Sequence, residues 1–395
     1  MKFTEINNWL EQELKKLDIS PTNYHKAVER YTSVGSMLES KLRDEYNIDC
    51  HVYAQGSFMI GTVVKPYGKD KEYDVDLVCE CDLTKSEISA KDLKKIIGSI
   101  IRKDGTYGKM LSENEGRRTW TITYAEDNEL SFHIDVQPSI PNDDSQYEKA
   151  IFTTTKDRQN SKIYNWDNGN PLGLKDWFDE INADSYNEVE TLQRRILFES
   201  NTFYASIDDI PKQLVVTKLQ RLIQVLKRHR DIRFENHKYK EDKPNSMIIT
   251  ILAAKVFEES DSNLSLIELL RNFSDKLSTN INLIKRTEHD IRGLLIDRID
   301  GKFRIDNPRV EENLADRWND NDNSKKQAFF DWVNWISLDV QKISNITSLK
   351  EYEYKNFDNL IKEYAQSKVD NILNENTNEP KDLLNNPKPW KEDNV

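Results

Sequence analysis

Gln55-Gly56-Ser57-Phe58, followed after a short interval by Glu72-Tyr73-Asp74-Val75-Asp76-Leu77-Val78-Cys79-Glu80-Cys81, is the stretch on which the reading of this chain turns. The second segment alternates and is rich in β-branched and aromatic residues, the pattern of a strand with one buried face. Successive side chains on a strand point to opposite sides, so Asp74 and Asp76 share a face while Val75, Leu77, Cys79 and Cys81 face a core. Two carboxylates on one strand face repel each other unless positive charge lies between them. Hard divalent cations prefer oxygen ligands, and magnesium is commonly held by one or two carboxylates plus substrate phosphates.

A third carboxylate fits the same logic. In Phe132-His133-Ile134-Asp135-Val136-Gln137, the apolar residues form one face and His133, Asp135 and Gln137 the other. Placed on a neighbouring strand, Asp135 completes a three-carboxylate set able to hold two metal ions roughly 4 Å apart. Gly56 allows close backbone approach and Ser57 offers a hydroxyl, as glycine-containing phosphate loops do. His133 is expected to make a structural hydrogen bond.

Around this centre the chain divides by periodicity. Phe3, Ile6, Leu10, Leu14 and Leu17 recur at helical spacing, and Ser20-Pro21 starts a second helix that ends near Asn47. Residues 51–57, 73–81, 119–125 and 130–137 read as strands, with a helix over 86–103 between them. Residues 141–175 read as irregular, leading into a short helix at 174–178. Beyond Pro211 only helical patterns stand out. The expected organisation is therefore α+β: N-terminal helices (1–48) bracing a mixed-sheet core (49–210), an all-helical C-terminal domain (211–375) and a flexible tail (376–395).

Composition narrows the function. Of 395 residues, 37% are hydrophobic and 32% charged, and no apolar run approaches a membrane span or a signal peptide, so a cytoplasmic protein is expected. The net charge of −12 disfavours binding to long nucleic acid, whose phosphates an acidic surface repels, but it leaves room for a local cationic pocket. The three cysteines complete no zinc motif; Cys79 and Cys81 are expected to be reduced thiols within a strand.

The order Gly-Ser, then Asp-x-Asp, then a lone Asp between apolar residues resembles the DNA polymerase β-like nucleotidyltransferases. The finer pattern, QGSFMIGTVVKP (55–66), EYDVDLV (72–78) and FHIDVQPSIP (132–141), is similar to the CD-NTase enzymes of bacterial anti-phage (CBASS) systems, relatives of cyclic GMP–AMP synthase and oligoadenylate synthetase. The likeness continues through Asn170-Pro171-Leu172-Gly173, Trp177-Phe178, Asn307-Pro308, the segment 312–319 and the tail residues Pro387-Lys388-Pro389-Trp390. It implies a polymerase β-like core facing a helical domain, with Asp74, Asp76 and Asp135 as catalytic metal ligands for two Mg²⁺ ions that Mn²⁺ can replace. It further implies nucleotide binding by Gln55, Gly56 and Ser57, and by Lys227 and Ser246, which sit where the family places a lysine and a serine on the donor triphosphate. The implied substrates are nucleoside triphosphates (ATP, GTP or UTP), joined into a cyclic di- or trinucleotide with release of pyrophosphate. Accessory proteins of the same systems would act on the C-terminal tail. Two alternatives stay open at this point: another transferase of the superfamily, or an inactive nucleotide-binding scaffold.

Overall fold

The computed structural model describes residues 13–67, 72–124, 131–200, 204–320 and 323–344. Residues 3–12 of the helical stripe expected over 3–17, the segment 345–375, and the tail 376–395 with Trp390 lie outside the described residues. Helix α1 (Pro21–Tyr46) begins where Ser20 Oγ accepts from the backbone N–H of Asn23, and it ends on Asn47 in the left-handed conformation, φ 54°.

The sheet contains β1 (Cys50–Ala54), β2 (Glu72–Cys81), β3 (Trp120–Tyr124), β4 (Ser131–Pro141), β5 (Ile151–Lys156) and β6 (Tyr164–Gly169), ordered β1-β2-β4-β5-β6 with β3 also on β4. Only the β2–β4 pairing is parallel among these; the others are antiparallel. Long β4 makes this possible. Its first half lies between β2 and β3, and its end passes to β5. Between β1 and β2 runs the single helical turn α2 (Gly56–Met59), and α3 (Ala90–Lys103) packs on the sheet. Behind the sheet, Val75, Leu77, Cys79, Cys81, Ile122, Ile134 and Val136 are fully buried together with Leu38 and Leu42 of α1 and Leu93 and Ile97 of α3.

The structure corrects the reading of residues 141–175, where β5 and β6 stand in place of an irregular stretch. Their threonines, asparagines and aspartate lack the apolar alternation of a half-exposed strand, yet Thr153, Thr154 and Thr155 are buried. The helix expected at 174–178 is α4 (Pro171–Ser200), 30 residues long. It is started by Asn170, whose side chain accepts from the N–H of Gly173 and donates to the carbonyls of Glu148 and Arg309.

The remaining helices are α5 (Lys218–Phe234), α6 (Ser246–Glu258), α7 (Leu266–Arg286) and α8 (Ser324–Ser344). A two-stranded sheet, β7 (Asp297–Ile299) with β8 (Lys302–Arg304), interrupts the helical half; strands of three residues carry too little pattern to be read from sequence. Leu174, Trp177 and Phe178 of α4 join α5–α8 in a second core.

Candidate active site between the sheet and the helices

The parallel register pairs Asp76 with Asp135 and Asp74 with His133. Aligned residues of neighbouring strands project to the same side, so all three aspartates stand on the sheet face away from the core. Gln55 donates its backbone N–H to the carbonyl of Asp76 at 2.8 Å, which fixes the start of α2 beside β2. Gly56 then adopts φ +62°, and a Cβ there would lie 2.9 Å from Asp76 Oδ2. Glycine is required twice over, by conformation and by contact. Thr121 of β3 donates its hydroxyl to Asp135 Oδ1 and so fixes one carboxylate oxygen. His133 turns Nε2 to Glu72 Oε2 at 3.0 Å, with Nδ1 4.0 Å from Asp74 Oδ1.

The segment after Ser57 is held by one face of α5. Gln220, Gln224, Lys227 and Arg228 donate their side chains to the carbonyls of Ile60, Val63, Thr62 and Lys65 respectively. At helical spacing of three and four, these donors form one row. Gly61, at φ +67°, fits beneath it, since a Cβ would meet Gln220 Nε2 at 2.5 Å. Lys227 is therefore not on a solvated face; it is 6% exposed, with Nζ 3.1 Å from Thr62 O and 3.0 Å from Thr62 Oγ1. Ser246, exposed at the start of α6, accepts from Arg230 Nη1 at 2.8 Å. Because that bond occupies the serine oxygen as acceptor, its own O–H remains to donate elsewhere.

These groups line one cleft of about 1760 Å³: Gln55, Gly56, Ser57, Asp74, Asp76, Lys227 and Ser246 are all on its walls. The cleft perturbs the charges it contains. Burial, then the neighbouring Asp135 and Asp74, push Asp76 up to about 7. Asp74, although its side chain is accessible from the cleft, is also raised, first by partial desolvation and then by Asp135 and Glu72, with His133 and Lys243 opposing. Burial and Arg230 bring Lys227 down to about 7, against the attraction of Asp231 and Asp76.

Among the described residues, no three His, Cys, Asp or Glu side chains are already gathered at metal-ligand spacing. The outermost carboxylate, Asp74, leaves its side chain open to solvent, with Oδ1 4.0 Å from His133 Nδ1. The donor set itself fits a hard divalent cation. Asp76 is a half-buried carboxyl whose pKa is raised by desolvation and by two carboxylate neighbours, and a cation among them would favour its charged form.

Several cleft residues escaped the sequence reading. Arg117, Arg118, Asp167, Arg230, Lys243 and Glu312 line it from five separate places in the chain. Of these, Glu312 lay in the segment 312–319 that carried the family resemblance, Lys243 just ahead of Ser246, and Arg230 in the basic stretch of a predicted helix.

Comparison with known proteins supplies independent findings. A model of the Second Messenger Oligonucleotide or Dinucleotide Synthetase (SMODS) domain matches residues 4–182. The chain is 26% identical over 349 residues to c-di-GMP synthase of Roseivirga ehrenbergii, covering 88% of this chain and 82% of that relative. It is 26% identical over 229 residues to cyclic dinucleotide synthase CdnG of Bradyrhizobium diazoefficiens, a match spanning 55% of this chain and 51% of that relative. The structure of that CdnG in complex with GTP superposes over 94% of this chain and 99% of its own, with a TM-score of 0.68 at 18% identity.

Proposed function

The chain belongs to the CD-NTase family of nucleotidyltransferases that make cyclic oligonucleotides, and we propose that it joins two molecules of GTP into cyclic di-GMP for anti-phage (CBASS) signalling. The observation that carries this reading is the register of Asp76 against Asp135, with Asp76 on the wall of a cleft that also holds Ser57, Lys227 and Ser246. The name of the Roseivirga relative favours guanine as the base.

In this reading Asp74, Asp76 and Asp135 hold two Mg²⁺ ions, or Mn²⁺ in their place. When bound, the ions activate the attacking sugar hydroxyl and stabilise the leaving pyrophosphate. Gly56 brings the backbone close, and Ser57, Lys227 and the free O–H of Ser246 hold the donor triphosphate. The attacking hydroxyl forms a bond to the α-phosphorus, the bond to the β-phosphate oxygen breaks, and the hydroxyl proton passes to solvent. The linear pppGpG then presents its own triphosphate as donor, and a second transfer closes the ring. Thr121 keeps one oxygen of Asp135 occupied and so fixes the direction of the other. Little covalent chemistry falls to the protein; positioning and charge do most of the work.

We assign the catalysis to residues 49–210, substrate closure to 211–375, bracing to 1–48, and accessory-protein contacts to the tail at 376–395. Incubation with α-labelled GTP and magnesium, followed by phosphatase, tests the activity. A labelled product that resists phosphatase is expected; complete conversion of label to inorganic phosphate would overturn the proposal.

A further inference from the structure

The three cysteines of the chain gather at the end of the sheet remote from the aspartates. Cys50 opens β1 directly opposite Cys81, the last residue of β2, and Cys79 stands opposite Val52. Opposed residues project to the same side, so all three thiols lie on the core side of the sheet. Gln55, which pairs with Asp76, comes five residues after Cys50, about 17 Å away at the rise of a strand. None of the three cysteines lines the nucleotide cleft.

The backbone decides whether Cys50 and Cys81 can be joined. Asp82 donates its N–H to the carbonyl of Asp49 at 2.9 Å, and Gln55 donates to that of Asp76 at 2.8 Å. Both are hydrogen-bonded pairs of the antiparallel ladder, and alternation then makes Cys50–Cys81 a non-hydrogen-bonded pair. Val52 fixes the same phase, since its N–H turns outward to Glu39 Oε1 of α1 at 3.0 Å. Such pairs hold their Cα atoms roughly 4.5 Å apart. A disulfide spans about 4.4–6.8 Å, so the pair lies at the short end, where a bridge is strained and easily reduced.

The thiols differ in access and in acidity. Cys79 and Cys81 are fully buried, whereas Cys50 is half-buried on the edge strand. Hydrogen bonds from Cys79 and Cys81 draw the Cys50 thiol well below its ordinary range, with Arg43 and His51 adding to the effect and burial opposing it. Giving those bonds to Cys50 pushes Cys79 and Cys81 up. An accessible thiolate beside a buried thiol is the arrangement of an attacking and a resolving cysteine.

We propose that Cys50 and Cys81 form a reversible dithiol site that reacts with peroxides. The Cys50 sulfur attacks one peroxide oxygen and the O–O bond breaks, leaving Cys50 as a sulfenic acid. The departing hydroxide takes the proton that Cys50 released. The Cys81 sulfur then attacks the Cys50 sulfur; the S–S bond forms, the S–O bond breaks, and the Cys81 proton leaves with that oxygen as water. Two thiols lose two electrons in all, and one peroxide becomes two waters. Closing the bridge removes the sulfenic acid before a second peroxide can carry it irreversibly to sulfinic acid. The bridge also ties β1, which leads to Ser57, to β2, which carries Asp76. This site stands apart from the GTP-joining chemistry, and either can fail without the other.

Peptide mapping of the full chain after exposure to dilute hydrogen peroxide is the test. Wild type should lose two of its three free thiols and two hydrogen masses per chain, with the peptide holding Cys50 linked to the one holding Cys79 and Cys81. Fragmentation should place the bond on Cys81, and dithiothreitol should restore all three thiols. Cys79→Ala should keep the link; in Cys81→Ala the link should be lost and Cys50 should pass to sulfinic acid. Thiols untouched by peroxide, a bond to Cys79, a bond between two chains, or sulfinic acid on Cys50 of the wild type would each overturn the site. The wild-type map decides the matter by itself, so nothing hangs on the folding of a variant.

Discussion

Asp76 and Asp135 lie directly opposite one another in the parallel pairing of β2 with β4, each flanked along its strand by residues that are fully buried behind the sheet. Val75, Leu77, Ile134 and Val136 fix the backbones, so the two carboxylates are confined to one place whether or not a cation is present. The confinement costs free energy without metal, since Asp76 is kept up near 7 by burial and by its two acidic neighbours.

Replacing Asp76 or Asp135 by asparagine should abolish product formation and leave the fold intact. The metal-free variants should melt at or above the wild-type temperature, because a repulsive charge has been removed. Magnesium should then raise the Tm of the wild type more than that of either variant. Equal metal shifts in differential scanning fluorimetry would contradict the assignment of these ligands.

Gly56→Ala tests the approach of α2 to β2. The added Cβ meets Asp76 Oδ2 at 2.9 Å in a backbone at φ +62°, a combination expected to cost ~1–3 kcal/mol. Chemical denaturation should show that loss together with a fall in turnover larger than that of an alanine at solvent-exposed Gly105. Wild-type turnover in Gly56→Ala would mean that the contact has no part in the chemistry.

Lys227→Met should raise the KM for GTP by about tenfold, with a smaller effect on kcat, because a point charge on the phosphates serves ground and transition states alike. Initial rates across GTP concentration decide it. An unchanged KM would leave Lys227 as a structural donor to Thr62 alone.

Lys94 gives a signed pH dependence. Burial brings its pKa from 10.5 down to about 8 in the folded protein. Between those values the unfolded chain binds the additional proton, so stability rises with pH across this window and the cost of the buried charge is felt below about 8. Relative to Lys94→Met, the wild type should gain on the order of 3 kcal/mol between those limits. Parallel stability–pH curves for the two proteins would contradict the lowered pKa of Lys94.

Much of this site could be read from the chain because strand alternation and carboxylate chemistry are local. Asp74 and Asp76 sit two apart on β2, and Asp135 lies between Ile134 and Val136, so facing and burial follow from spacing alone. The strands β5 and β6 were not legible, since Thr153–Thr155 are buried through packing that only the assembled sheet provides. The same holds for Arg117, Arg118, Asp167 and Glu312, which meet across long sequence separations and belong to no periodic pattern. Lys227 shows the intermediate case: its helix was evident, but its burial depends on the row of side chains that holds residues 60–65.

The central claim is that these carboxylates join GTP into a closed dinucleotide, and the accurate mass of the reaction product tests it most directly. Wild-type protein with GTP and magnesium should yield a phosphatase-resistant species with the mass of two guanylate units joined by two phosphodiester bonds, with pyrophosphate released, and Asp135→Asn should yield none. An open-chain product, label transferred to protein or RNA, or the same product from Asp135→Asn would contradict it.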